Sequence, residues 1–92
     1  MASKKTNKKV HGNVFVRTVT YHYTGHIESE SADEIVLSSA AWIADSGRFA
    51  QAVAGGELSE VEPYPDGVSV RIRKSAVVDV CDWNHPLPRV QK

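Results

Sequence analysis

Hydrophobic and polar positions in this chain alternate with a period of two over most of its length and change to helical spacing once. The run VFVRTVTYHYTG, Val14 to Gly25, is rich in β-branched and aromatic residues, which suit a pleated, half-buried surface. Read as one strand, it places Val14, Val16, Thr18, Thr20 and His22 on one face and Phe15, Arg17, Val19, Tyr21 and Tyr23 on the other. Thr24-Gly25 reads as punctuation, and a second strand is expected from His26 to Ser31, with a turn around Ser31-Ala32-Asp33. Glu34 to Ser39 reads as a third strand, with Ile35 and Leu37 inward.

The period changes in AAWIADSGRFAQAVAGG, where Phe49, Ala52 and Val53 recur at helical spacing. A helix of about ten residues is expected, with Asp45 or Ser46 as its cap and Gly55-Gly56 as its stop. Gly47 falls in its first turn, where free amides make an incipient anion site. Beyond it, Pro63 confines Glu60 to Tyr64 to a sheet edge, because proline cannot donate to a ladder. Pro65-Asp66-Gly67 is a turn. In VSVRIRK, Val68, Val70 and Ile72 are expected inward and Ser69, Arg71 and Arg73 outward. Ala76 to Trp83 is the last strand, and residues 85–92 are expected to leave the fold as an extended tail stiffened by Pro86 and Pro88.

These elements predict a mainly β (α+β) domain over residues 13–84. Its expected form is a small, strongly bent five-stranded sheet or an open SH3-like or Sm-like barrel with one short helix. Residues 1–12 are polar and lysine-rich without hydrophobic period, so a disordered basic tail is expected there. A chain of 92 residues permits one domain with a modest core, and self-association is a common supplement at this size.

Charge divides the chain in two. Eleven Lys and Arg balance eleven Asp and Glu, yet Lys4, Lys5, Lys8 and Lys9 cluster at the start. Val10 to Gln91 holds six basic residues against all eleven acids, a net charge of −5. An acidic body disfavours nucleic-acid binding over its whole surface, because such affinity rests on neutralising phosphates; the lysine tail leaves a local contact open. Cys81 is the only cysteine, which excludes an intrachain disulfide and suits a reducing cytosol. No run approaches the eighteen apolar residues of a membrane span, so a soluble cytoplasmic protein is expected.

Candidate chemistry is sparse. His22 and His26 lose the meaning of their four-residue spacing in a strand, and Asp79, Cys81, Asp82 and His85 do not complete a tetrahedral site, so no metal or other cofactor is expected. No G-x-S-x-G elbow, phosphate loop or H-E-x-x-H is present, and no nucleophile, base and orienting group can be named together, so no enzyme is expected. What remains is a set of aromatic and arginine residues. Arg17, Arg48, Arg71 and Arg73 offer forks for phosphates, while Tyr21, Tyr23, Trp42 and Phe49 offer flat faces for bases. Each also has an ordinary role, Trp42 and Phe49 as core and Arg71 and Arg73 as a solvated face.

The succession RTVTYHYTG, DEIVLSSAAWIADSGRF, AVAGGEL and EVEPYPDG resembles a group of small bacteriophage and prophage proteins of unknown function, over roughly Val14 to Trp83. Those proteins carry V-L-x-x-A-R-R-I-W where this chain has Ala40-Ala41-Trp42-Ile43, which lacks the two arginines. Small phage proteins of this make-up are similar to anti-defence sponges, which oligomerise and sequester nucleotide signals of CBASS or Thoeris immunity. The resemblance implies a non-catalytic homo-oligomer in the host bacterial cytoplasm. It would hold a cyclic oligonucleotide or a cyclic ADP-ribose type of signal, with arginines on phosphates and Tyr21, Tyr23 or Trp42 on bases. The alternative is an Sm-like or SH3-like module binding RNA, DNA or a host protein, and a third reading is a structural phage component that only self-associates.

Overall fold

The computed structural model describes residues 12–92; the expected basic tail falls almost wholly outside them. The domain is mainly β with one short helix, as the alternation predicts, but its sheet has six strands rather than five and is open. The strands are β1 (Asn13–Thr18), β2 (His22–Glu30), β3 (Glu34–Asp45), β4 (Glu60–Pro63), β5 (Val70–Arg73) and β6 (Val77–Asp82). Helix α1 (Phe49–Gly55) lies between β3 and β4, and one 3₁₀ turn, Lys74–Ala76, joins β5 to β6. The order is β4-β3-β2-β1-β6, all neighbours antiparallel, with β5 also paired to β3.

The Val14–Gly25 run is not one strand. It reverses at Val19-Thr20, where the Thr18 hydroxyl donates to the Tyr21 carbonyl at 2.6 Å and accepts from the Tyr21 amide at 3.0 Å. Arg17 therefore pairs with His22, and Val16 with Tyr23. Cross-strand partners share a face, so Arg17 lies opposite to Tyr21 and Tyr23 rather than beside them. Gly25, expected as punctuation, sits within β2, where a Cβ would come within 3.0 Å of Leu37 Cβ.

Opposite Gly25, β3 carries one extra residue: Thr24 pairs with Ala41 and His26 with Ser38, leaving Ser39-Ala40 against a single glycine. Ser39 takes φ 49°, and such a bulge bends its strand. On either side of the bend β3 serves different neighbours, Glu34–Leu37 pairing with β5 and Ala41–Asp45 with β4. The residues Ala40 to Asp45, read as part of the helical segment, thus belong to the sheet.

Each face of the sheet carries a core. One cluster joins Val14, Val16, Ile27, Ile35, Leu37, Ala40 and Ile72, with Tyr23, Tyr64, Val70 and Val77 packed against it. The other joins Phe15, Ala41, Ile43, Ala52, Leu58, Val61 and Trp83 under the helix. Ile35, Leu37 and Ile72 are inward as expected, but Val68 is exposed, because β5 begins only at Val70.

Helix α1 has seven residues instead of ten, and neither Asp45 nor Ser46 caps it. Arg48 is the N-cap residue, while Asp45 accepts the Gly47 amide at 2.8 Å in the preceding turn. Gly47 lies before the helix at φ 71°. The expected glycine stop is present: Gly56 takes φ 78° and donates to Ala52. The segment after β6 does not leave the fold. Trp83 donates its indole N–H to the Pro86 carbonyl, His85 donates Nε2–H to the Val53 carbonyl at 2.7 Å, and Leu87 joins the helix-side core. Lys92 then exchanges both backbone hydrogen bonds with Val61 on the outer edge of β4.

Candidate functional site

Register alone assembles the site. Val80, Val16, Tyr23, Trp42 and Glu62 are successive cross-strand partners on β6, β1, β2, β3 and β4, so they form one transverse row on one face. Tyr21 precedes Tyr23 by two residues, and Tyr64 follows Glu62 by two. At the β2–β3–β4 end of this row lies a groove of about 540 Å3 lined by Tyr21, Tyr23, Trp42, Glu62, Pro63, Tyr64 and Pro65.

Tyr21 and Trp42 meet edge to face, with ring centroids 5.4 Å apart and planes at 81°. Tyr21 is 51 % exposed, whereas Tyr23 and Tyr64 are half-buried against the core cluster of the same face. The floor of the groove is thus the rim of a packed core. Burial, with Tyr64 and Tyr21 close by, raises the Tyr23 phenol above its ordinary pKa, so it remains a neutral hydrogen-bond donor. Arg89 braces the wall from outside, donating to the carbonyls of Ala40 at 3.1 Å and Tyr64 at 2.9 Å and pairing with Asp66 at 2.7 Å. Among the described residues no Lys or Arg lines the groove, and the one charged group there is the exposed Glu62.

Of the eight residues expected to bind a ligand, Tyr21, Tyr23 and Trp42 converge here. The other five do not join them. Arg17 and Phe49 lie on the helix side of the sheet, where the guanidinium carbon stands 4.0 Å from the Phe49 ring centroid and the fork grips Asp79 through Nε, at 2.9 Å, and Nη2. The hydrogen bonds of this pair, with the opposite charges adding to them, raise the Arg17 pKa and lower that of Asp79. Next to them, burial and the Arg17 charge hold His22 below the ordinary imidazole value. Burial, followed by Asp79 and Asp82, pushes the Cys81 thiol up, away from reactive thiolate. Arg48 is exposed at the start of α1. Arg71 and Arg73 face solvent as the alternation predicts, and both reach Glu34, at 2.8 and 3.9 Å.

Glu62, Pro63, Tyr64 and Pro65 were not among the expected ligand-binding residues. Alternation through EVEPY puts Glu62 and Tyr64 on one face with Val61 on the other, which is a usable signal. The pairing of β4 with β3, which carries them to Trp42, has no local signature. Among the described residues no group of three His, Cys, Asp or Glu side chains could hold a metal, and no helix is long and apolar enough to cross a membrane.

No protein-family model, curated protein or solved structure matches this chain. The groove must therefore be interpreted from its own chemistry.

Proposed function

We propose that the protein is a non-catalytic interaction module that docks an extended segment of another protein in the groove of Tyr21, Tyr23, Trp42 and Tyr64. The supporting observation is the character of the lining among the described residues: four aromatic rings and two proline rings on a core-backed floor, with one carboxylate and no cation. Aromatic side chains give large contact area at low entropic cost, and their phenol and indole donors can meet backbone carbonyls. A phosphate placed against Trp42 would face Glu62 without a compensating charge.

To test this, isotope-labelled protein is titrated with a mixed panel of unstructured peptides while the Trp42 indole resonance is followed. At least one peptide should shift Trp42 and spare Trp83, and Trp42→Ala should weaken that binding more than about tenfold. A panel with no response at millimolar concentration overturns the reading.

A second reading, sequestration of a cyclic nucleotide signal by a homo-oligomer in phage anti-defence, draws support from the same rings as base-stacking faces. It requires phosphate-holding cations from outside the described lining, because Arg17, Arg71 and Arg73 are engaged with Asp79 and Glu34 away from the groove. Cyclic di- and trinucleotides and cyclic ADP-ribose belong in the same titration. A Trp42 response to them alone would put this reading first.

A further inference from the structure

Within the peptide-docking reading, on which this step rests, two properties of the groove narrow the ligand. The first is shape and stiffness. Pro63 and Pro65 fix the backbone of one wall, and Arg89 ties that wall to the Ala40 and Tyr64 carbonyls. Tyr23 and Tyr64 are held by the core behind them. A rigid groove of rings selects a ligand that is already extended, because ordering a flexible one costs affinity. Polyproline II segments meet this condition: they lack internal hydrogen bonds, expose their carbonyls to phenol and indole donors, and present pyrrolidine rings to aromatic faces.

The second property is charge. Glu62 lies directly across from Trp42 in the β3–β4 ladder. Among the described residues no hydrogen bond or ion pair engages its side chain, whereas neighbouring Asp66 is already matched by Arg89. A cation over the Trp42 ring would meet the aromatic face and a carboxylate together. The acidic body, −5 between Val10 and Gln91, favours the same sign of ligand at longer range.

We propose that the groove binds a proline-rich segment in the polyproline II conformation whose Arg or Lys side chain lies over Trp42 beside Glu62. The test uses synthetic peptides of repeated prolines with one leucine and a terminal arginine, measured by titration against the full chain. Two controls replace the prolines by alanine or the arginine by glutamate. The alanine peptide should bind about tenfold more weakly, through lost ring packing and the added cost of ordering. The glutamate peptide should bind about fivefold more weakly at low salt, and Glu62→Gln, at an exposed position, should shrink that difference. Proline-free peptides that shift Trp42 while proline-rich ones do not would overturn this proposal and leave the docking site standing. Silence from every peptide would remove both. Equal affinity for the arginine and glutamate peptides also overturns it.

Discussion

Arg17 shows how a residue suited to ligand binding can be consumed by its own fold. Its guanidinium is satisfied by Asp79 on the neighbouring strand and covered by the Phe49 ring, so it fastens helix α1 to the β1–β6 ladder. The cost falls on His22, its cross-strand partner. The imidazole is half-buried, sits edge-on to Phe15 at 5.7 Å, and feels the Arg17 charge, so its folded pKa lies below the ordinary 6.5. Between that lowered value and 6.5 the unfolded chain binds a proton that the folded chain does not, so stability falls as pH drops through this window. Below the folded pKa both states are protonated and His22 contributes no further change. Urea midpoints should accordingly be lower near about pH 5 than near about pH 7.5, and His22→Gln should flatten the difference. Asp79, also depressed, acts in a separate window, its contribution disappearing only below 3.8.

At the scale of an element, helix α1 shows two adjacent glycines with opposite duties. Gly55 is helical and has open space where a Cβ would be. Gly56 is left-handed, and its Cβ would stand 2.7 Å from Cγ of His85, the residue that satisfies the Val53 carbonyl. Gly55→Ala is expected to stabilise by about 0.5–1 kcal/mol, because glycine loses the most backbone freedom in a helix. Gly56→Ala should cost about 1–2 kcal/mol from backbone strain, with a further loss as His85 is displaced. Equilibrium urea unfolding of the two variants checks both signs.

The glycine stop was legible in the sequence because a helix end is a local event, and strand content was legible because alternation is too. The hairpin at Val19-Thr20 was not. It has no glycine, proline or asparagine, and the Thr18 side chain reinforces the backbone hydrogen bond from the Thr18 amide to the Tyr21 carbonyl. Thr24-Gly25 carried the expected turn signal, yet its glycine serves close approach to Leu37 and lies across from the bulge. That one displaced reversal explains why Arg17 was grouped with Tyr21 and Tyr23. Three of the groove's four aromatic residues were nevertheless identified from composition and spacing, whereas Tyr64, Glu62 and the prolines needed the long-range pairing of β3 with β4.

Across the whole molecule, the two cores share their strands. β1 gives Val14 and Val16 to one and Phe15 to the other, and β3 gives Ile35, Leu37 and Ala40 to one and Ala41 and Ile43 to the other. Neither strand can leave one core without vacating the second. Unfolding is therefore expected to be a single transition: the indole signals of Trp42, in the groove, and Trp83, under the helix, should vanish at the same urea concentration. Separate midpoints would show that the faces melt independently.

The pairing of Lys92 with Val61 has a consequence for growth of the sheet. The outer rim of β4 is occupied by the chain's own backbone, and the four-residue β5 is guarded by Arg71 and Arg73. Among the described residues only the rim of β6 is both uncovered and apolar, with Val78 60 % and Val80 40 % exposed. A ribbon that can be extended from one margin alone cannot polymerise. Two copies meeting there antiparallel would exhaust each other's margin and stop as a twofold pair.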